Sequence, residues 1–304
     1  MNEHRWKASP VVFLTALDLE YSAVVEQLTD IRRTPSVAGT RFEIGTLPGG
    51  AGDAVVALTS MGNHSSAVIA ERAIREFAPA AVLFVGVAGR VKRSIELGDL
   101  VVATHVYAYH GAAARNDGIR SRPRVWDIDH GIEQAAHQIK RQYDRERGAN
   151  PPANRPLVHF GPLASGEILH DRAESVALQW IRQHYEDALA IEMEAAGVAK
   201  AGQLNAAPLA VIRAVSDRAD GTKSTTDGDD WQPRAVRNAA VFAVDLAVEL
   251  AADARPRTPT EVSPAATPPE TPVTRVETYG GSHGAVAGVV NGGVHNTSTR
   301  QGWS

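Results

Sequence analysis

The stretch Ala190-Ile191-Glu192-Met193-Glu194-Ala195-Ala196 places two acidic residues inside an otherwise apolar run. A buried carboxylate without a partner is costly, and it responds by shifting its pKa or by finding a partner. If the stretch is extended, Glu192 and Glu194 leave the same face of a strand, because strand side chains alternate with period two. If it is helical, they point in nearly opposite directions and mark the acidic first turn of a surface helix. The local pattern leaves both alternatives open.

Apolar runs on both sides of this stretch alternate with amphipathic segments. The continuous run over 11–17 (VVFLTAL) is typical of a buried strand, as are 81–87 and 208–215. We predict strands over 11–17, 41–46, 53–60, 81–87, 99–107, 157–163, 189–192 and 208–215, and helices over 21–28, 65–77, 132–147, 195–201 and 234–254. The alternation predicts an α/β fold, a three-layer α/β/α domain with a mixed, twisted central sheet.

Composition narrows the classes of function. The chain has 304 residues, a formal net charge of −4 and no cysteine, so disulfides, thiolate metal sites and cysteine nucleophiles are excluded. The near balance of charge gives no reason to expect a nucleic-acid partner. No stretch approaches 18 apolar residues, so we expect neither a signal peptide nor a membrane span, and a cytoplasmic protein is the default. We expect no metal and no cofactor.

Polar and small residues follow several predicted strands, at the edge where α/β sheets bind ligands. Glu20 follows the first strand and Asp217 the last, Gly86 to Gly89 follow the strand over 81–87, and Ser165-Gly166-Glu167 follow the strand near 160. Taken singly, each has an ordinary explanation, because an acid after a strand often caps a helix and two nearby glycines often make a tight turn.

Together these segments resemble a known family. ALDLE (16–20), GVAG (86–89), SGE (165–167), IEMEAAG (191–197) and VIRAVSDRAD (211–220) are similar, in order and approximate spacing, to motifs of the purine nucleoside phosphorylase/uridine phosphorylase superfamily. The methylthioadenosine/S-adenosylhomocysteine nucleosidase branch is the most similar. The resemblance covers roughly 11–250 and implies a nucleoside phosphorylase-like fold and an N-glycosidase.

The resemblance also implies roles for individual residues. Cleavage of a purine N-glycosidic bond requires a general acid at the base, activation of water at C1′ and a group that holds the ribose hydroxyls. The resemblance assigns Asp217 as the acid, Glu20 as the base that activates water and Glu194 as the ribose ligand, with Glu192 as its acidic neighbour. Further substrate-binding positions implied are Met193, Ser216, Gly86, Val87, Ser165 and Leu169. For Met193 a core methionine, and for Ser216 a turn serine, are the alternatives.

Departures from the family pattern bear on the nucleophile and the substrate. Phe84 stands where phosphorylases carry a phosphate-binding arginine, and Val87 stands where a serine or threonine is usual. Without the guanidinium, phosphate loses a bidentate partner, so water is the expected nucleophile. Arg90, Arg115 and Arg120 are candidate phosphate contacts that would favour a nucleotide over a nucleoside, although each is also explained as a solvated loop charge.

Composition changes near residue 255. We predict an enzyme domain over 1–254, a proline-rich disordered linker over 255–275 and a short tail over 276–304. The tail segment 289–296 (VVNGGVHN) resembles bacterial amyloid signalling motifs, which are similar to RIP homotypic interaction motifs and stack as cross-β. A passive glycine-rich tail is the alternative.

This organisation predicts a homo-oligomeric cell-death or antiviral effector, switched on through its tail by a partner such as an NLR-like sensor. Its activity would be hydrolysis of a purine nucleoside or nucleotide at the N-ribosyl bond. A phosphorylase of the same fold and a non-catalytic nucleotide-binding signalling module are the alternatives.

Overall fold

The computed structural model of the chain describes residues 9–34, 36–116, 118–147, 156–168, 176–219 and 231–253. The predicted linker, the predicted tail and Leu169 lie outside these ranges. The described strands are β1 (Val11–Thr15), β2 (Thr29–Arg33), β3 (Glu43–Thr46), β4 (Asp53–Leu58), β5 (Ala81–Arg90), β6 (Leu100–Ala108), β7 (Ala112–Arg115), β8 (Gly118–Ser121), β9 (Arg124–Asp127), β10 (Val158–Ser165), β11 (Ala190–Glu192) and β12 (Leu209–Asp217). The described helices are α1 (Asp18–Val25), α2 (Asn63–Phe77), α3 (His130–Arg147), α4 (Val176–His184), α5 (Ala195–Asn205) and α6 (Trp231–Asp253).

One mixed sheet organises these elements, in the order β11-β10-β6-β12-β5-β1-β4-β3-β2, with β9 added alongside β6. The pairings of β1 with β4 and β5, of β5 with β12, and of β10 with β6 and β11 are parallel. Strand β11 also pairs antiparallel with β5. The strands β5, β12, β6, β10 and β11 therefore form a closed ring of pairings.

The hydrophobic core is built on this sheet, and burial of the central strands accounts for their continuous apolar sequences. Every residue of β1 and of β12 is buried, as expected for strands covered on both faces. Helix α2 packs against α5, and α6 packs against α1 and α3. Fully burying one large aliphatic or aromatic side chain contributes about 1.5–3 kcal/mol, so the side chains buried at these interfaces stabilise the fold. The predicted α/β fold, with three layers and a mixed central sheet, is confirmed.

The prediction lacks strands β7, β8 and β9 and helix α4, and it differs from the structure in three further details. Helix α1 begins at Asp18 rather than at residue 21, because the Glu20 carboxylate accepts the N–H groups of Ala16 and Leu17 and so closes the turn before it. Residues Gly86 to Gly89 are strand rather than loop, because β12 pairs with β5 as far as Gly89. Strand β2 was missed because all its residues are exposed and its sequence, TDIRR, has no apolar run.

Two kinds of feature are absent from the described part of the chain. None of its helices has the length and apolar character needed to cross a membrane. Within the same residues, histidine and acidic side chains do not gather into a group of three or more that could hold a metal ion.

Candidate active site

The acidic stretch combines both conformations that its sequence left open. Glu192 is the last residue of β11, and Glu194 is the N-cap residue of α5. The chain therefore turns from strand to helix between the two carboxylates. Both residues are buried, with exposed fractions of 6% and 7%, so each carboxylate requires partners inside the protein.

Glu192 is satisfied by the start of α5 and by a buried arginine. Its carboxylate accepts the N–H of Glu194 at 3.1 Å and the N–H of Ala195 at 2.9 Å. Its Oε2 atom also accepts a hydrogen bond from Nη2 of Arg213 at 2.8 Å. A carboxylate at a helix N-terminus is favoured by the helix dipole and by the unpaired N–H groups of the first turn. Glu192 is therefore fixed between the first turn of α5 and Arg213.

Glu194 has fewer partners. Its Oε1 atom accepts the N–H of Gly62 at 3.1 Å, and its Oε2 atom lies 3.9 Å from Nη2 of Arg213. Burial, and after it the negative charge of Glu192, raises the pKa of Glu194 to about 7, although Arg213 and the Gly62 N–H oppose the shift. Glu194 is thus a carboxylate that changes its charge near neutral pH.

Glu20 connects the end of β1 to β5. Its Oε2 atom accepts the N–H groups of Ala16 at 2.8 Å and Leu17 at 3.0 Å, and its Oε1 atom accepts the N–H of Val87 at 2.8 Å. Burial raises the pKa of Glu20, and the Arg213 charge together with these N–H groups counteracts part of that rise. A buried carboxylate with a raised pKa, held rigidly by main-chain donors, is suited to taking up a proton.

Arg213 is the residue around which these acids gather, and sequence reasoning assigned it no role. It lies in β12, is 1% exposed, and its guanidinium stacks over the Phe84 ring at 3.9 Å from the ring centre. Its Nη1 and Nε atoms have no hydrogen-bond acceptor among the described residues. A charged residue inside the apolar run 208–215 was the available signal, because an arginine is almost never fully buried unless it is paired.

Glycine at position 86 makes room for this arrangement. A Cβ at Gly86 would lie 2.2 Å from Nη1 of Arg213 and 2.3 Å from Oε1 of Glu20, distances that no real contact allows. Only glycine at position 86 lets the main chain of β5 lie this close to the side chains of Arg213 and Glu20. Glu20, Glu192 and Glu194 share the neighbourhood of a single guanidinium.

Asp217 closes β12 and lies opposite Gly89 of β5 in the strand ladder. Its Oδ1 atom accepts the N–H of Ala219 at 2.8 Å, and Ser216 Oγ donates to its Oδ2 atom at 3.2 Å. The residue is 8% exposed. Ser216 therefore contacts the Asp217 carboxyl group directly, and its predicted part in substrate binding remains a prediction.

Ser165 and Asn63 complete the N-terminus of α5. The N–H of Ala196 donates to Ser165 Oγ at 3.0 Å, and the N–H of Gly197 donates to Asn63 Oδ1 at 2.8 Å. Ser165 Oγ in turn donates to Asn63 Oδ1 at 3.2 Å. Sequence reasoning missed Asn63, and no local pattern marks it.

The remaining predicted residues fall into separate groups. Val87 acts through its main chain on Glu20, and Met193 is half-buried in the turn between the two glutamates. Arg90 donates to the Ile95 carbonyl oxygen at 3.2 Å and lies 3.9 Å from Glu96, so it braces the turn after β5.

The other two predicted phosphate contacts lie on a separate element. Arg115 and Arg120 are exposed on the hairpin of β7 and β8, which forms a two-stranded sheet of its own. Their predicted role in binding phosphate remains a prediction.

The chemistry available at this site is that of acids held in different states. The Glu192 carboxylate is paired with arginine, and the Glu194 carboxylate titrates near neutral pH. The Glu20 carboxylate is buried and has a raised pKa, and Asp217 is the last residue of β12. Such a set can donate a proton, accept one, and stabilise a developing positive charge between them.

Known proteins share this architecture. A 5′-methylthioadenosine/S-adenosylhomocysteine nucleosidase of Staphylococcus carnosus is 25% identical over 240 residues, which are 77% of this chain and 97% of that protein. The crystal structure of the Neisseria meningitidis nucleosidase of the same name, in complex with methylthio-immucillin-A, aligns with a TM-score of 0.66 at 25% identity and covers 78% of this chain and 98% of that one. The futalosine hydrolase of Helicobacter pylori aligns with a TM-score of 0.67 at 22% identity, covers 79% of this chain and 97% of that one, and shows the likeness of the fold. The model of the phosphorylase superfamily matches residues 10–248, most of the chain and all the acids described above, so the chain belongs to the phosphorylase superfamily.

Proposed function

We propose that the chain is a purine N-ribosyl hydrolase, which releases the base from an adenine-type nucleoside or nucleotide. The observation that carries this proposal is the gathering of Glu20, Glu192 and Glu194 around the buried Arg213 guanidinium, with Asp217 at the end of the strand that carries Arg213. The similarity to methylthioadenosine/S-adenosylhomocysteine nucleosidases supports the same reaction class. A module that only binds a nucleotide would have no need of an acid and a base.

In the proposed reaction, Asp217 donates a proton to the purine ring as the bond between C1′ and the base nitrogen breaks. The ribosyl group then carries positive charge, as in other glycoside hydrolyses, and the anionic carboxylates stabilise it. Water adds to C1′, and Glu20 accepts the proton that the water gives up. Glu194 accepts hydrogen bonds from the ribose hydroxyls. The products are the free base and the free sugar, and protons balance between the two acids.

Water, rather than phosphate, is the proposed nucleophile. Phe84 is fully buried against Arg213 and occupies the position where the phosphorylase pattern has an arginine. The guanidinium at the site is itself taken by Glu192, and the surrounding carboxylates repel a phosphate dianion. A phosphorylase remains the competing activity. Product analysis with and without added phosphate separates the two: hydrolysis releases base without phosphate, and ribose 1-phosphate as the sole sugar product would refute it.

For the substrate, we propose a nucleotide bound through Arg115 and Arg120 on the β7–β8 hairpin. Exposed arginines bind phosphates with bidentate geometry. The test compares cleavage of AMP and ATP with cleavage of methylthioadenosine, and repeats it with Arg115→Ala and Arg120→Ala. Equal or better cleavage of methylthioadenosine would assign the hairpin arginines to solvent and leave the hydrolase proposal intact.

The biological role is proposed from the tail sequence, which lies outside the described residues. The uncharged segment 286–295 is suited to in-register stacking, and stacking of tails would raise the local concentration of enzyme domains. We expect a peptide of residues 276–304 to form thioflavin-positive fibrils, and Val290→Asp to prevent them by repeating a charge at every layer. In cells, removal of the tail should abolish regulated toxicity while the purified domain keeps its turnover. A peptide that stays monomeric even when seeded would refute the effector proposal.

A further inference from the structure

The side-chain amide of Asn63 joins three segments that carry the site. Its Oδ1 atom accepts the N–H of Gly197 at 2.8 Å and the hydroxyl of Ser165 at 3.2 Å. Its Nδ2 atom donates to the carbonyl oxygen of Gly166 at 3.0 Å. One amide therefore links the start of α2, the end of β10 and the first turn of α5.

Two residues close to Asn63 in the sequence, Gly62 and Ser66, hold Glu194. Gly62, directly before Asn63, donates its N–H to the Glu194 carboxylate at 3.1 Å. Ser66 Oγ donates to the carbonyl oxygen of Glu194 at 2.9 Å. Glu194 is thus held at its carboxylate and at its main chain by residues on either side of Asn63.

The first turns of α2 and α5 are packed so closely that only glycine fits at position 197. A Cβ at Gly197 would lie 1.9 Å from the Asn63 carbonyl oxygen, so the N-termini of α2 and α5 touch main chain to main chain. The first-turn N–H groups of α5 each donate to a different side chain: that of Ala195 to Glu192, that of Ala196 to Ser165 and that of Gly197 to Asn63. Removal of one cap usually costs about 0.5–2 kcal/mol.

We propose that Asn63 is a positioning residue, whose amide ties the first turn of α5 to the Ser165–Gly166 segment and thereby fixes the Glu194 carboxylate where the ribose hydroxyls bind. Asn63 touches no reacting atom in this scheme. It acts by setting the direction of α5 and the distance between the end of β10 and Glu194. The inference rests on the proposed function for the identity of the bound sugar, whereas the link between Asn63 and Glu194 is structural.

The chain supplies a matched control at the other end of the same helix pair. Asn205, the last residue of α5, donates through Nδ2 to Glu71 of α2 at 2.6 Å and to the Ala201 carbonyl oxygen at 2.9 Å. It also bridges α2 and α5, but it lies about 16 Å along the helix from Glu194, at about 1.5 Å per residue. Changes at Asn205 therefore reproduce the loss of a bridge between the helices without touching the site.

The first measurement follows the charge of Glu194 directly. Asn63→Asp keeps the size and the acceptor but adds a carboxylate at the residue next to Gly62, whose N–H binds the Glu194 carboxylate. The charged groups that already act on Glu194 are Glu192, Arg213 and Glu20. In an NMR titration of labelled glutamate carboxyl carbons, with Glu194→Gln used for assignment, the midpoint of Glu194 should rise by about one unit in Asn63→Asp. Asn205→Asp should leave it within about 0.2 unit. An unchanged midpoint in both variants would overturn the inference.

The second measurement is turnover. Asn63→Ala should lower kcat/KM for base release by about tenfold or more, while Asn205→Ala stays within about twofold at a similar loss of Tm. Equal losses in the two variants would mean that Asn63 only stabilises the fold. If the wild-type protein releases no base from any nucleoside or nucleotide, the proposed function is wrong, and the NMR titration still decides the role of Asn63.

Discussion

The clearest test of the site is the replacement of Glu194 by glutamine. The folded protein raises the pKa of Glu194 from 4.5 to about 7, through burial and the neighbouring charge of Glu192. Between these two values the folded state holds a proton that the unfolded chain has lost. Glu194 therefore favours the folded state at low pH, and this contribution is lost as pH rises from about 4.5 through about 7.

The size of the effect follows from the shift. A rise of roughly 2.5 pKa units corresponds to about 3 kcal/mol of free energy of unfolding, lost between pH 5 and pH 8. Glutamine keeps the size and the acceptor for the Gly62 N–H but does not titrate. Glu194→Gln should therefore be more stable than the wild-type protein at pH 8 by up to about 3 kcal/mol and nearly equal to it at pH 5, while its turnover falls sharply.

The assay is urea unfolding of both proteins at pH 5 and pH 8, followed by circular dichroism. Comparing the two proteins removes the titration of every other group that they share. Glu192→Gln is the matched control two residues away. Because the Glu192 carboxylate pairs with Arg213 and caps α5, removing its charge should destabilise the protein by about 3–5 kcal/mol at pH 8. The same pH dependence in the wild-type protein and Glu194→Gln would refute the reasoning.

Four further outcomes are expected. Asp217→Asn should keep the wild-type circular dichroism spectrum and lower kcat by about 100-fold or more, the usual contribution of a general acid, and a near-normal kcat would remove this residue from the mechanism. The kcat/KM of the wild-type protein should fall as pH drops below about 7, because protonated Glu194 loses its charge and one acceptor for the ribose hydroxyls; a flat profile from pH 8 to pH 5.5 would contradict this. Gly86→Ala should lower the free energy of unfolding by about 1–3 kcal/mol and abolish turnover, because the new methyl group collides with Arg213 and Glu20. Gly202→Ala, whose Cβ meets its nearest atoms at 3.4 Å inside α5, should be neutral or stabilising, and equal losses in the two glycine variants, by urea unfolding, would refute the steric argument.

Much of the candidate site follows from the sequence because its acids stand directly after strands. Glu20 follows β1, Glu192 ends β11 and Asp217 ends β12, as the alternation of apolar runs predicts. Asn63 could not be found in this way, because its partners are 102 to 134 residues away along the chain. The edge strand β2 was missed for a related reason, since an exposed strand needs no apolar pattern.

The amino-acid sequence by itself determines the α/β class, the order of the buried strands and the identity of the acids at their ends, because burial on both faces imposes continuous apolar runs. Only the tertiary structure decides what those acids do. The N–H that binds the Glu194 carboxylate comes from Gly62, 132 residues earlier, and the guanidinium that Glu192 binds comes from Arg213, 21 residues later. A carboxylate's pKa depends on its burial and on the charges near it in space, and both are set by how distant segments pack.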